Sequence, residues 1–107
     1  MDPEKLFADI VAAATGAAKG HAADLRTYVE ARARLIAEGV VQIGNDRLAG
    51  KITDDDVRFA FQQIKESEQT ALLAIDVTLK AAAQDAINAA LAVVTGAINK
   101  AIGVAIL

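Results

Sequence analysis

The feature that most constrains this chain is a helix stop followed at once by a helix start. Gly50 suits the position just after a helix C-terminus, because glycine adopts the left-handed backbone conformation at little cost. Thr53 has the side chain of an N-cap, and Asp56 three residues later can complete a capping box. These signals predict a turn at 50–53 that separates two long stretches of chain.

Both stretches have the composition of helices. Hydrophobic residues make up 54% of the chain, alanine dominates them, and the single proline, Pro3, stands where a helix tolerates it. Apolar residues recur in steps of three or four on both sides of the turn. We therefore predict an all-α chain, with one helix over about 3–49 and a second over about 54–102. Glycines leave a kink near 39–44 open.

The predicted helices share one apolar seam, which would form a hairpin or oligomer interface. Its members are Phe7, Ile10, Val11, Ala14, Ala18, Leu25, Tyr28, Leu35, Phe61, Ile64, Leu72, Ile75, Leu79, Ala86, Ala90, Val93 and Ala97. Arg32 interrupts this seam and falls opposite the region of Glu68 in an antiparallel register. A charge at such a position often fixes register or partner choice, so we predict an Arg32–Glu68 pair within the hairpin or across a dimer.

The length of the second helix decides the predicted architecture. At 1.5 Å per residue it would be roughly 70 Å long, whereas a compact domain of this size has a radius of gyration of about 13 Å. A long antiparallel two-helix hairpin, forming a single domain over 1–107, accommodates such a helix. Because a hairpin leaves one side of each apolar stripe uncovered, we expect it to dimerise into a four-helix bundle or to form a higher oligomer.

The C-terminal quarter leaves a second interpretation open. From Ala81 onward the charged residues are Asp85 and Lys100, and a helix that is apolar nearly all round is buried in protein or in lipid. The segment 81–107 is long enough to approach the length of a membrane span. A regular polar seam that includes Asn88 favours burial in protein.

Three weaker motifs have ordinary structural explanations beside their functional ones. Gly16-x-x-x-Gly20 matches a close helix-crossing motif, in soluble bundles or in membranes. The acidic run 54–56 is explained by the helix dipole, since it lacks the spacing of a calcium loop. His21 has no second histidine or cysteine beside which it could bind a metal or activate a nucleophile.

The sequence contains no pattern typical of an enzyme. It has no cysteine, one histidine and one serine, Ser67, and no cofactor or metal is expected. A net charge of −3 disfavours nucleic acid as a partner. The size and outline are similar to those of small secreted helical hairpins that carry Trp-x-Gly at the turn. This chain has no tryptophan, so the similarity is one of architecture alone.

We therefore expect a non-catalytic structural or interaction protein that acts through helix–helix homo-oligomerisation. The alternative is a protein that associates with membrane or lipid through the segment 81–107 together with the N-terminal helix. Because no signal peptide is visible, the cytoplasm is the default location. Membrane association and export by a non-classical route are the other locations to consider.

Overall fold

The computed structural model describes residues 1–103 and 105–107, and these contain helices and no strand. The α-helices are α1 (Pro3–Ala18), α2 (Ala22–Leu48), α3 (Asp54–Ala71) and α4 (Lys80–Ile102). A single 3-10 turn follows α1 at Lys19–His21, and another follows α3 at Leu72–Ala74. The all-α class predicted from composition is confirmed.

The turn between α2 and α3 is built as its sequence predicts. Gly50 has φ 74°, and its amide donates to the Arg47 carbonyl at 3.1 Å. At the start of α3, the Thr53 hydroxyl accepts from the Asp56 amide at 3.2 Å, and the Asp56 carboxylate accepts from the Thr53 amide at 2.9 Å. These bonds satisfy backbone groups that a helix end otherwise leaves unpaired, which is why local sequence is enough to place this turn.

The two long predicted helices are each interrupted, and this corrects the sequence interpretation. The helix expected over 3–49 breaks at Lys19–His21, and the helix expected over 54–102 breaks between Leu72 and Leu79. Each break lets the chain turn back and bury its apolar stripe against its own helices, and such tertiary burial outweighs helix propensity. No break occurs at 39–44, because α2 runs continuously from Ala22 to Leu48.

The helices pack with an up-and-down connectivity. The Arg34 guanidinium on α2 contacts Glu4 at the start of α1 at 2.8 Å, which fixes α1 and α2 as antiparallel. Arg47 contacts Asp54 beside the α2–α3 turn at 2.6 Å and Arg32 contacts Glu68 farther from it at 2.7 Å, so α2 and α3 are antiparallel as well. Helix α4 packs mainly on α1 and secondarily on α2, whereas α3 packs on α2.

The structure does not confirm the predicted extended two-helix hairpin, because the described helices pack into a folded bundle. Helix α2 pairs with α3 and α1 pairs with α4, as they would in an unbroken hairpin. Folding brings the Cα radius of gyration to 13.7 Å and the longest dimension to 43 Å. No helix of roughly 70 Å remains in the described chain, and a single copy covers much of its own apolar surface.

The core lies between α1, α2 and α4, and α2 contributes two different faces to the packing. One face consists of Leu25, Val29, Ala33, Ile36, Ala37, Val40 and Ile43, all of which are buried. The neighbouring face, with Tyr28 and Arg32, is turned towards α3. On α2 the predicted seam lies along the second face. Residues three or four apart in sequence line up on either face, so the spacing alone does not distinguish the two faces.

Candidate functional site: a buried ion pair and the exposed apolar surface

The Arg32–Glu68 pair is the best-organised polar feature of the molecule. Arg32 Nε donates to Glu68 Oε1 at 2.8 Å, and Arg32 Nη2 donates to Glu68 Oε2 at 2.7 Å. The Arg32 side chain is 21% exposed and that of Glu68 is 3% exposed. Hydrogen bonding to the Glu68 carboxylate raises the pKa of Arg32, against the opposing effect of burial. The two residues paired by sequence reasoning are therefore in bidentate contact between α2 and α3.

Tyr28 lies beside this ion pair, and its hydroxyl oxygen is buried without a hydrogen-bond partner among the described residues. Burial raises the pKa of Tyr28, the charge of Glu68 raises it further, and the charge of Arg32 opposes both. Both carboxylate oxygens of Glu68 accept from Arg32. The geometry of this ion pair is that of a structural contact which holds α3 on α2.

The residues of the predicted seam differ in how far they are buried in the single chain. Buried in the single chain are Ile10, Ala14, Ala18, Leu25, Phe61, Leu72, Ala86 and Ala90. Half-buried are Phe7, Val11, Tyr28, Ile64, Ile75, Leu79, Val93 and Ala97. Leu35 is 55% exposed, so it does not belong to the core of the single chain. Whether these residues also contact a second copy stays a prediction.

An apolar groove of about 610 Å³ lies between α1 and α4. Its apolar lining includes Leu6, Leu48 and Val93, and Lys5 and Lys100 are among its charged lining residues. A groove of this volume falls within the usual range of small-molecule sites. The sequence shows that α1 and α4 are apolar, but it does not predict the groove, because the groove depends on how α1 folds back.

The connection between α3 and α4 is the most exposed apolar segment of the described chain. Leu73 is 75% exposed and Val77 is 80% exposed. The segment is closed by Asp76, whose carboxylate accepts from the Thr78 amide at 2.9 Å and from its hydroxyl at 2.7 Å. This bonding lowers the pKa of Asp76. An aspartate followed two residues later by threonine is a known turn signal, and it could have located this break.

The motif Gly16-x-x-x-Gly20 and the acidic run 54–56 have ordinary structural surroundings in the single chain. A Cβ added to Gly16 or Gly20 would meet nothing within 4 Å, so neither glycine lies at a close helix crossing within the single chain. Asp54 contacts Arg47, and Asp55 contacts Arg58 at 2.6 Å. Within residues 1–103 and 105–107, no group of three or more His, Cys, Asp or Glu side chains is placed to hold a metal ion.

Helix α4 is also long and apolar enough to cross a membrane. Its most apolar window has a mean hydropathy of 1.3, and 39% of that window is buried within the chain. A core helix of a bundle has the same length and composition, and α4 supplies core residues such as Ile87 and Val94. Comparison of the chain with protein-family models, with curated proteins and with solved structures finds no match.

Proposed function

We propose that this chain is a non-catalytic assembly protein that homo-oligomerises through helix–helix contacts. Its basic unit would be a dimer in which two helical hairpins together form a four-helix bundle. The observation that carries the proposal is the exposed apolar connection between α3 and α4, with Leu73 and Val77 largely in water. Large apolar side chains grouped at one end of a small domain typically mark a contact with another protein.

The energetics favour covering these two side chains. Burying a Leu or Val side chain completely is worth about 1.5–3 kcal/mol. A symmetric dimer uses the same patch on both copies, so each gain counts twice. Phe59, which is 68% exposed near the start of α3, lies at the opposite end of that helix and would remain outside this contact.

The test is the absolute mass of the protein by size exclusion with light scattering over a range of concentrations. We expect a discrete dimer that dissociates on dilution. Replacing both side chains, Leu73→Ser with Val77→Ser, should raise the dimer dissociation constant by at least about tenfold, as expected when two buried apolar side chains are lost. The matched control Phe59→Ser should leave the constant unchanged. A monomer at every concentration would contradict the proposal.

A second function is favoured by a separate observation, the apolar groove between α1 and α4. It is large enough for part of an acyl chain, and α4 has the length and hydropathy of a membrane-spanning helix. The alternative is therefore a protein that associates with lipid through α1 and α4. Because the chain carries a net charge of −3, neutral lipid should be preferred over anionic lipid.

Flotation with liposomes tests this alternative. Co-flotation with neutral vesicles, reduced by Leu48→Lys in the lining of the groove, would support it. The matched control is Leu35→Lys, because Leu35 is exposed but lies outside the groove. Protein that remains at the bottom of the gradient with both neutral and anionic vesicles would exclude lipid association.

A further inference from the structure

We infer that the partner is a second copy of this chain in an opened form, and that the two copies exchange halves; this inference rests on the proposed homo-oligomeric function. Each chain would straighten at Lys19–His21 and between Leu72 and Leu79, to become a long hairpin. The α1–α4 half of one copy would then pack on the α2–α3 half of the other.

The first observation is that helix ends are well capped at only one end of the bundle, which we call the capped end. There the Asp2 carboxylate accepts from the Glu4 amide at 3.0 Å, and the Thr53 capping box begins α3. Gly50 and Gly103 have positive φ, 74° and 86°, at the ends of α2 and α4. All four helix ends at the capped end therefore carry the features that stop a helix.

The second observation is that the opposite end, which we call the hinge end, lacks such features. His21 precedes α2 and Leu79 precedes α4, and neither forms a side-chain capping bond. Lys19 ends α1 with φ 51° and ψ −121°, a conformation that glycine adopts readily and lysine does not. The local bonds at this end are those of the Asp76–Thr78 turn in the second connection, and packing between the two halves otherwise holds the hinge end closed.

The third observation is that the apolar seam continues through the second break. Ile64, Glu68 and Leu72 are followed by Ile75 and Leu79, in steps of three or four residues. An unbroken helix would keep these positions on one face. The break consequently leaves the helical pattern intact, and a straightened α3–α4 helix would present one seam.

The fourth observation is that opening can preserve every helix pair. The α2–α3 pair, with its Arg32–Glu68 contact, stays within one chain in both forms. Contacts between halves, such as Glu4–Arg34 at 2.8 Å and the Arg34 guanidinium over the Phe7 ring at 3.9 Å, would be made by two chains instead of one. The two hinge ends would meet at the middle of the dimer, where Leu73 of each copy would be covered.

Thiol cross-linking distinguishes the two forms, because the natural chain has no cysteine. The reporting variant is Glu4→Cys with Arg34→Cys, at a contact between halves. The control variant is Leu35→Cys with Ser67→Cys, because both residues line the groove between α2 and α3 and leave the ion pair intact. Each double variant is isolated as a dimer by size exclusion, treated with a short bismaleimide and analysed under denaturing conditions.

The exchange predicts covalent dimers for the reporting variant and cross-linked monomers for the control variant. If the isolated dimers of both variants give only cross-linked monomers, the exchange is overturned and the homo-oligomeric function is retained. If no dimer forms at any concentration, the proposed function itself fails and the exchange fails with it. Circular dichroism establishes that each variant is as helical as the natural chain.

Two substitutions at the hinge end should shift the equilibrium in opposite directions. Lys19→Gly removes the unfavourable backbone conformation of the closed form and weakens the straight helix, so the dimer dissociation constant should rise at least about tenfold. Asp76→Ala removes the turn and favours the helix, so the constant should fall by about tenfold. Ala12→Gly and Asp85→Ala, within α1 and α4, are helical in both forms and should change it little. No shift with either hinge substitution would contradict the inference.

Discussion

At the scale of single residues, the Arg32–Glu68 pair shows how far a charge on an apolar seam can be interpreted. Its position, together with the antiparallel register set by the turn at Gly50, was enough to predict the partner. The sequence does not reveal that Glu68 is almost fully buried. Helix α3 is mostly exposed, and Val57 and Phe61 are its only other buried residues. The pattern predicts Tyr28 on the seam as an apolar contact, whereas the burial of its hydroxyl without a partner among the described residues depends on how α2 is rotated.

Replacement of Arg32 should be strongly destabilising. Arg32→Met leaves the Glu68 carboxylate buried without its partner, which typically costs about 3–5 kcal/mol when one member of a buried pair is removed. Because Arg32 retains some exposure, we expect about 3 kcal/mol, measured as the free energy of unfolding in urea. The matched control is Arg26→Met, which breaks an exposed pair with Glu30 on the same helix and should cost less than about 1 kcal/mol. Equal costs for the two variants would mean that the buried pair adds no more than a surface pair.

The ionisation of Tyr28 should depend on folding. Its pKa is raised by burial and by the Glu68 charge, whereas an unfolded chain titrates near pH 10. The stability that Tyr28 contributes is therefore complete below the unfolded pKa and is lost as pH rises through the folded pKa. Because Tyr28 is the only tyrosine, absorbance of tyrosinate reports it directly. A native titration midpoint at or below that of the urea-unfolded chain would contradict this environment.

At the scale of helices, the capped ends could be predicted, whereas the breaks at the hinge end have weaker sequence signals. Gly50, Thr53 and Asp56 stop one helix and start the next through bonds among neighbours in sequence. The break before Leu79 has a weaker local signal, the bonds from Thr78 to Asp76, whereas the break at Lys19 forms no side-chain cap and depends on packing between distant parts of the chain. Local sequence therefore specifies where a helix is capped, but not where tertiary burial ends it.

The capping box at the start of α3 should contribute measurably to stability. Thr53→Ala removes the hydroxyl that accepts from the Asp56 amide, and loss of such an N-cap costs about 1 kcal/mol. The control Thr27→Ala lies at an exposed position within α2, where alanine is the better helix former, so it should be neutral or slightly stabilising. Urea unfolding followed by circular dichroism measures both. A Thr53→Ala variant as stable as the natural chain would show that the cap is redundant.

At the scale of the whole molecule, the sequence indicates which helices form pairs. It indicates less clearly whether the chain is extended or folded back on itself. The half made of α1 and α4 is alanine-rich and carries few charges, whereas the half made of α2 and α3 carries most of them. Folding at the hinge end covers the apolar half within one chain. The opened form would cover it with a second chain, through the same kinds of contact. A pattern of apolar residues is satisfied by both, so it cannot distinguish them.

The hinge end should also be the first part of the native bundle to open. Helices without caps fray more readily, and opening there requires no loss of the Schellman bonds at Gly50 or the capping box at Thr53. We expect native-state hydrogen exchange to be faster for second-turn amides at 26–29 and 84–87 than at 58–61, which follow the capping box. If the two connections open together, Lys19→Gly should slow exchange at both 26–29 and 84–87, although it alters only the first connection. Slower exchange confined to 26–29 would show that the connections open independently, and equal protection at all three segments would remove the distinction between the two ends of the bundle.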